Sequence, residues 1–192
     1  MPDARAHIRV VLVIGVAGAG KTTVGRALAH RLAAETAAPW AFADADAYHS
    51  PDALARMAAG DALTDADRAP WLARLAALVR AHAAAGPGLV LACSALRTAY
   101  RETLAGGDPR VAVVWLDASA GVLAARLAAR LGEGEHPVGP SLLPSQLAAF
   151  EPPGPDALWL DAARPVAALA AEAGAFVRGT RARHQIGRGV VS

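Results

Sequence analysis

The 192-residue sequence has one cysteine, Cys93, and one lysine, Lys21. A lone cysteine closes no intrachain disulfide, which points to a reducing compartment such as the cytoplasm. No apolar stretch is long enough to span a bilayer, because Asp, Arg, Gly or Pro interrupts each one. The opening Met1-Pro2-Asp3-Ala4-Arg5 lacks the long apolar core of a secretory signal. The six histidines are scattered without metal-ligand spacing, which argues against a zinc site. The guanine-reading pattern N-K-x-D would need a second lysine, and there is none. Internal repeats are absent too, and the one low-complexity feature is alanine. That alanine makes up much of the 54% apolar content, which therefore signals helices more than membrane.

The sequence pI near 9.2 suggests a nucleic-acid partner at first sight. The excess charge, however, sits in Arg178, Arg181, Arg183 and Arg188, in a final stretch of 15 residues without an acid. Without those four, 15 basic side chains face 17 acidic ones. The basicity belongs to the tail, and a short Arg/Gly tail is expected to be solvated and disordered rather than a binding arm. No nucleic-acid partner is expected. The length suits one α/β domain with a proper core.

The lysine stands in the stretch around which the chain is organised. Gly15-Val16-Ala17-Gly18-Ala19-Gly20-Lys21-Thr22 reads G-x-x-x-x-G-K-[ST]. An apolar β-branched run, Ile8–Ile14, precedes it, and a helical pattern, Thr22–Glu35, follows, with Val24, Leu28 and Leu32 on one face. Phosphate oxygens need several backbone N–H groups aimed at one point, and glycine lets the chain turn and approach that closely. The next helix adds its positive N-terminal end. Lys21 would reach the β- and γ-phosphates, the Thr22 hydroxyl would hold Mg²⁺, and Thr23 extends the nucleotide contacts. All other basic residues in the chain are arginines. The site that stays lysine is one where a compact ammonium fits and a planar guanidinium fits badly. This stretch binds a nucleoside triphosphate.

Strands alternate with helices along the rest of the chain, which predicts a parallel sheet covered on both faces. The strands are expected at 8–14, 40–44, 89–93, 111–116 and 158–160. Helices are expected at 51–59, from Pro70 onward, near 97–104, and at 119–131, 144–150 and 165–177. Asp61–Ala69 reads as a polar loop, and the Gly/Pro-rich 132–140 as a lid.

Several constellations could carry chemistry. Asp44 and Asp46 end the second strand, where ligands of parallel sheets bind. One could help hold Mg²⁺ and the other accept a proton from an attacking hydroxyl; a solvated turn would use the same residues. Asp117 ends a Walker-B-like run, Val111–Asp117. The strand expected beside the first one instead ends in Cys93, so Asp117 reads as a cap of the following helix and Asp44 as the better metal ligand. Arg126 and Arg130 share a helix face just before the lid and could fold over the γ-phosphate, or form a solvated basic face. Arg97 and Arg101 also share a face, after Cys93-Ser94-Ala95-Leu96, where they could meet an anionic acceptor. His49, taken alone, reads as a loop hydrogen-bonder.

Three segments resemble the thermoresistant gluconokinase family. They are Asp44-Ala45-Asp46-Ala47-Tyr48-His49, the stretch from Met57 through Asp65-Ala66-Asp67-Arg68-Ala69-Pro70-Trp71-Leu72, and Cys93-Ser94-Ala95-Leu96-Arg97 with Tyr100-Arg101. The match runs in order from about Val11 to Asp161. It implies a doubly wound, five-stranded α/β P-loop fold of shikimate-kinase type. It also implies ATP- and Mg²⁺-dependent phosphorylation of the 6-hydroxyl of D-gluconate, in a cytoplasmic and often dimeric enzyme. By position it implies Asp46, His49, Arg68, Ser94, Arg97, Arg101 and Gln146 on the sugar-acid side, and Arg126 and Arg130 in the R-L-x-x-R segment before the lid. The chain departs from the family pattern in three places. Ser50-Pro51-Asp52-Ala53 lacks the usual asparagine, Arg56 and Arg97 stand where lysine is usual, and Gly132-Glu133-Gly134-Glu135-His136-Pro137 replaces the lid's Gly-His-Phe.

The expectation is therefore one kinase domain over 1–177, with a lid near 131–145 and a basic tail at 178–192. Gly15 to Thr23 would hold ATP, Thr22 and Asp44 would hold Mg²⁺, and Lys21, Asp46, Arg126 and Arg130 would act on the transferred group. Alternative readings are a kinase for shikimate or another sugar acid or polyol, and a nucleotide switch or nucleic-acid-stimulated ATPase using the tail.

Overall fold

A computed structural model describes residues 7–61, 63–130 and 142–179. Five strands form one sheet: β1 (Val10–Ile14), β2 (Trp40–Asp44), β3 (Gly88–Ala92), β4 (Val111–Asp117) and β5 (Leu158–Asp161). Every pairing is parallel, and the order is β2-β3-β1-β4-β5. The helices are α1 (Lys21–Thr36), α2 (Pro51–Ala58), α3 (Asp65–Ala84), α4 (Thr98–Ala105), α5 (Ala120–Arg130), α6 (Leu143–Ala149) and α7 (Val166–Val177). This is the doubly wound sheet expected from the alternation of strand and helix patterns.

The strand period of two decides what lies on each face. β1 is Val-Val-Leu-Val-Ile, fully buried and central. Val11 and Val13 pack with Val24, Leu28 and Leu32 of α1 and with Leu169, Ala173 and Val177 of α7. Val10, Leu12 and Ile14 turn to the other face, against Leu72, Leu75 and Val79 of α3 and Leu104 of α4. Each such leucine or valine contributes about 1.5–3 kcal/mol on burial. A strand sandwiched this way must be apolar at every position, and β1 is.

Two sequence expectations change. The first concerns α3, which begins at Asp65 rather than Pro70. A reciprocal cap outweighs the proline. The Thr64 hydroxyl accepts the Asp67 N–H at 3.2 Å, and the Asp67 carboxylate accepts the Thr64 N–H at 2.8 Å. Pro70 sits one turn inside, where it only leaves the Ala66 carbonyl without its helical donor. Arg68 and Trp71 thereby become neighbours on one rigid helix instead of belonging to a loop and a helix.

The second concerns Asp117, which does not cap α5. Its carboxylate accepts the indole N–H of Trp159 at 3.2 Å, and Ser119 supplies the cap contacts, accepting the Val122 N–H at 3.4 Å. The first six residues, Ala62, the segment 131–141 and residues 180–192 lie outside the described residues, and with them most of the expected lid and tail. Arg178, counted above with the tail, pairs with Glu35 of α1.

Because the Thr64 cap fixes where α3 starts, Thr64→Ala should lower unfolding free energy by about 1 kcal/mol. Denaturant unfolding measures this; an unchanged midpoint would show that the cap does not hold the helix start.

Candidate functional site

The turn from β1 into α1 needs glycine at three positions, Gly15 and Gly18 for space and Gly20 for its backbone angle. Gly15 has φ 149°, and a Cβ there would lie 2.6 Å from the Leu116 carbonyl oxygen. A Cβ on Gly18 would come within 3.0 Å of the Leu123 carbonyl oxygen. Gly20, at φ 90°, is the N-cap of α1, and no side chain caps the helix. The first N–H groups of α1 are thus left to a ligand rather than to a capping side chain. The Lys21 ammonium donates to the Val16 carbonyl at 3.1 Å, which folds the side chain back over the loop.

The carboxyl ends of three neighbouring strands bring the remaining groups to this turn. At the end of β2, the Asp44 carboxylate accepts the Thr22 hydroxyl at 2.7 Å. Its other oxygen accepts the Asp46 N–H at 3.2 Å, inside a 3-10 turn over Ala45–Tyr48. At the end of β3, Cys93 is buried, and burial pushes its thiol up to about 12, so it stays protonated and unreactive. A small cavity of ≈ 50 Å³ lies between these ends, bordered by Lys21, Thr22, Asp44, Asp46, Ser94 and Gln146. On the other side of the loop a larger cavity of ≈ 330 Å³ opens between Gly20, Thr23, Val24, Arg126 and Arg164. The first cavity is where a terminal phosphate could meet an acceptor, and the second has room for a nucleoside.

The sequence-predicted arginines separate. Arg126 bridges the phosphate loop and the turn after β5, donating to the Gly18 carbonyl at 3.4 Å and the Ala162 carbonyl at 2.7 Å. Arg130 closes α5, and its side chain lies outside the described residues. Arg68 and Arg97 flank the Tyr100 ring, each 5.9 Å from its centroid. Arg97 donates to Asp65 at 2.6 Å, and the Tyr100 hydroxyl donates to the same carboxylate. Arg101 is a correction: it is buried and does not serve as an acceptor contact. Its guanidinium donates to the carbonyls of Ala95 at 2.9 Å, Leu96 at 3.0 Å and Pro152 at 3.4 Å, and to the Thr98 hydroxyl at 2.9 Å. Spacing puts Arg97 and Arg101 on one face, but the chain folding back at Pro152 covers the second.

His49 stacks on Trp71, with centroids 4.5 Å apart and planes 6° from parallel. Trp71 is itself held by its indole N–H, which donates to the Ala45 carbonyl at 2.8 Å. Burial first, then the charges of Arg68 and Arg74, lower the imidazole from its usual 6.5 to about 4. The ring is neutral at physiological pH. Its buried Nδ1 has no hydrogen-bond partner among the described residues, an unmet demand of the kind a ligand hydroxyl or water meets. Gln146 comes from α6, and its amide oxygen accepts the Ala17 N–H at 2.7 Å. The sequence reading gave no site role to Asp65, Tyr100, Arg164 or Glu151, although Asp65 and Tyr100 stand in the segments that carry the family resemblance. For Asp65 the available signal was the T-x-x-D cap, which turns a supposed loop residue into the first residue of a helix.

Comparison with known proteins gives a consistent picture. A family model described as "AAA domain" matches residues 10–153. The gluconokinase of Gluconobacter oxydans (strain 621H) is 49% identical over 148 residues, 77% of this chain and 78% of that protein. The thermoresistant gluconokinase of Escherichia coli (strain K12) is 35% identical, over 78% of this chain and 79% of its own. The crystal structure of a gluconokinase from Sinorhizobium meliloti 1021 superposes with a TM-score of 0.70 at 34% identity, covering 92% of this chain and 96% of that one. Among the described residues no helix is long and apolar enough to cross a membrane.

The depressed basicity of His49 sets a sign for pH dependence. Between about pH 6.5 and 4 the unfolded chain takes up a proton that the folded chain refuses. Stability attributable to this group therefore rises with pH across that window and is level above it. His49→Gln should flatten the pH dependence of unfolding between 4.5 and 6.5 relative to the parent, read by denaturant melts at matched ionic strength. An unchanged slope would mean that the imidazole titrates normally.

Proposed function

Because the chain belongs to the gluconokinase family, we propose that it transfers the γ-phosphoryl group of ATP to the 6-hydroxyl of D-gluconate, yielding 6-phospho-D-gluconate and ADP. One observation carries this reading to the level of residues. The Thr22 hydroxyl and Asp44 carboxylate share a 2.7 Å hydrogen bond beside Lys21, and Asp46 borders the same small cavity. Phosphate-binding and proton-accepting groups thus meet at one point.

In this reading the Gly15 to Thr23 loop wraps the phosphates with its backbone N–H groups, apart from the Ala17 N–H that Gln146 holds, and Lys21 bridges the β- and γ-oxygens. Thr22 and Asp44 would hold Mg²⁺, since a hydroxyl and one carboxylate are a fitting pair for a hard cation that takes oxygen ligands. Mg²⁺ bound there would neutralise charge on the phosphates. Asp46 accepts the proton of the attacking hydroxyl as the new O–P bond forms and the bond from γ-phosphorus to the β-bridging oxygen breaks. Arg126, which reaches the phosphate loop at the Gly18 carbonyl, steadies the phosphate charge, and Arg130 is assigned the same role by its place in the sequence alone. On the acceptor side, Arg68 and Arg97 offer positive charge to a carboxylate. His49 and Ser94 offer neutral hydrogen-bonding groups to hydroxyls, and Gln146 stands between the two sides. Arg68 and Arg97 favour an anionic acceptor, which suits a sugar acid better than a neutral polyol. The cytoplasm is the matching location, and a homodimer the assembly implied by the family.

The reading is tested by coupled ADP release across gluconate, shikimate, other sugar acids and nucleoside monophosphates. Gluconate should be the preferred acceptor; background turnover with gluconate beside clear turnover of another acid would transfer the assignment to that acid. Asp46→Asn should cut turnover by about 100- to 10,000-fold, the usual worth of a positioned general base, with ATP affinity nearly intact. Asp44→Asn should instead raise the Mg²⁺ concentration needed for half-maximal rate. Near-parental turnover of Asp46→Asn would remove the base assignment.

A further inference from the structure

The segment 142–152 ties the two sides of the cleft together. On the nucleotide side, Gln146 accepts the Ala17 N–H of the phosphate loop at 2.7 Å. On the acceptor side, Glu151 is fastened twice to the loop after β3. Its own N–H donates to the Leu96 carbonyl at 2.9 Å, and its carboxylate accepts the N–H of Thr98, the first residue of α4, at 2.7 Å. The loop so held contains Ser94 and then Ala95, a non-glycine residue at φ 37°. A side-chain-bearing residue stays in that left-handed region only when its surroundings hold it there. Arg101 adds to the hold by gripping the Ala95 and Pro152 carbonyls with one guanidinium.

We propose that Gln146 and Glu151 are positioning residues for phosphoryl transfer, acting through the phosphate loop and the Ser94 loop rather than through substrate. Together they fix the gap between those loops, and so the distance and line between the γ-phosphorus and the attacking oxygen. The inference rests on the kinase reading of the cleft, though not on which acceptor fills it.

Each residue type fits its place. Beside a triphosphate, a carboxamide accepts the Ala17 N–H without adding negative charge. Glu151 stands at the start of α4, where the exposed N–H groups and the helix dipole favour a carboxylate. That N–H holds the Glu151 carboxyl below its ordinary range. The two ends should therefore tolerate opposite changes. Glutamate at 146 would keep the acceptor but repel phosphate, whereas glutamine at 151 would keep the acceptor at little cost.

The test measures Gln146→Met, Gln146→Glu, Glu151→Ala and Glu151→Gln in the full chain. The readouts are kcat, KM for ATP and gluconate, melting temperature, and the ratio of water-directed ATP hydrolysis to transfer. A misplacement near 1 Å costs on the order of 100-fold in such reactions. Gln146→Met and Glu151→Ala should accordingly lower kcat by about 10- to 100-fold, with both KM values within about threefold. The hydrolysis-to-transfer ratio should rise. Glu151→Gln should recover most of the rate, and Gln146→Glu should not. Three results would overturn the proposal. A large rise in acceptor KM at unchanged kcat would make Gln146 a substrate contact. A parallel fall in ATP affinity, kcat and melting temperature would make both residues merely structural. Rates within twofold of the parent would remove any role. If the working acceptor proves to be another acid, the same split is measured with that acid, so a wrong acceptor and a wrong positioning role are told apart.

Discussion

The contact on which the cleft depends is the approach of Gly15 to the Leu116 carbonyl, where a Cβ would come within 2.6 Å. It lets the chain leave β1, wrap a loop and enter α1 at Lys21 without moving away from β4. Strand register carries that level sideways. Val13 pairs with Ala92, and Ala92 with Asp44, so three strands end on one line across the sheet. The phosphate loop, the Asp44–Asp46 turn and the Ser94 loop therefore emerge together. Slipping β2 against β3 would separate Thr22 from Asp44.

This explains which parts were legible in the sequence. The phosphate loop, its flanking strand and helix, and Asp44 at the end of the second strand are local patterns with local physical causes. The parallel sheet was legible in the alternation of strands and helices, whereas the order β2-β3-β1-β4-β5 depends on pairing between distant segments. The failures have a common origin in contacts between distant segments. Asp117 reads as a cap once the Cys93 strand takes the place beside the first one, but its partner is Trp159, 42 residues on. Arg97 and Arg101 have the same spacing logic and opposite fates, decided by the chain returning at Pro152. The start of α3 is different, since the T-x-x-D cap was there to be read and the proline was given more weight than it deserved.

Electrostatics around His49 and Tyr100 follow from the same packing. Arg68, Arg74 and Arg97 gather near His49 and Tyr100, and such a cluster repels itself unless something offsets it. Asp65 offsets part of it, taking hydrogen bonds from Arg97 and Tyr100. Asp67 is occupied elsewhere, capping α3 and pairing with Arg56 at 2.9 Å, and these bonds, Thr64's first, hold it near 2. His49 contributes no charge because burial and the nearby arginines keep it neutral. The result is a patch where positive charge stands beside uncharged hydrogen-bonding groups.

Lys21 gives the last step. The chain uses arginine at 18 positions and lysine at one. Several of those arginines work by spreading a planar fork over more than one acceptor, as Arg101 does over four. At the phosphate loop the demand is the reverse. The ammonium folds back to the Val16 carbonyl at 3.1 Å within a loop already tightened by Gly15, Gly18 and Gly20. A guanidinium is wider, rigid in its plane and unable to turn three donors about one axis toward closely set oxygens. In the proposed reaction the charge sits between two phosphates, and carrying the same sign is not enough there. A composition that otherwise favours arginine can therefore spare a lysine only where shape, and not sign, sets the requirement, and in this chain that is the mouth of the phosphate loop.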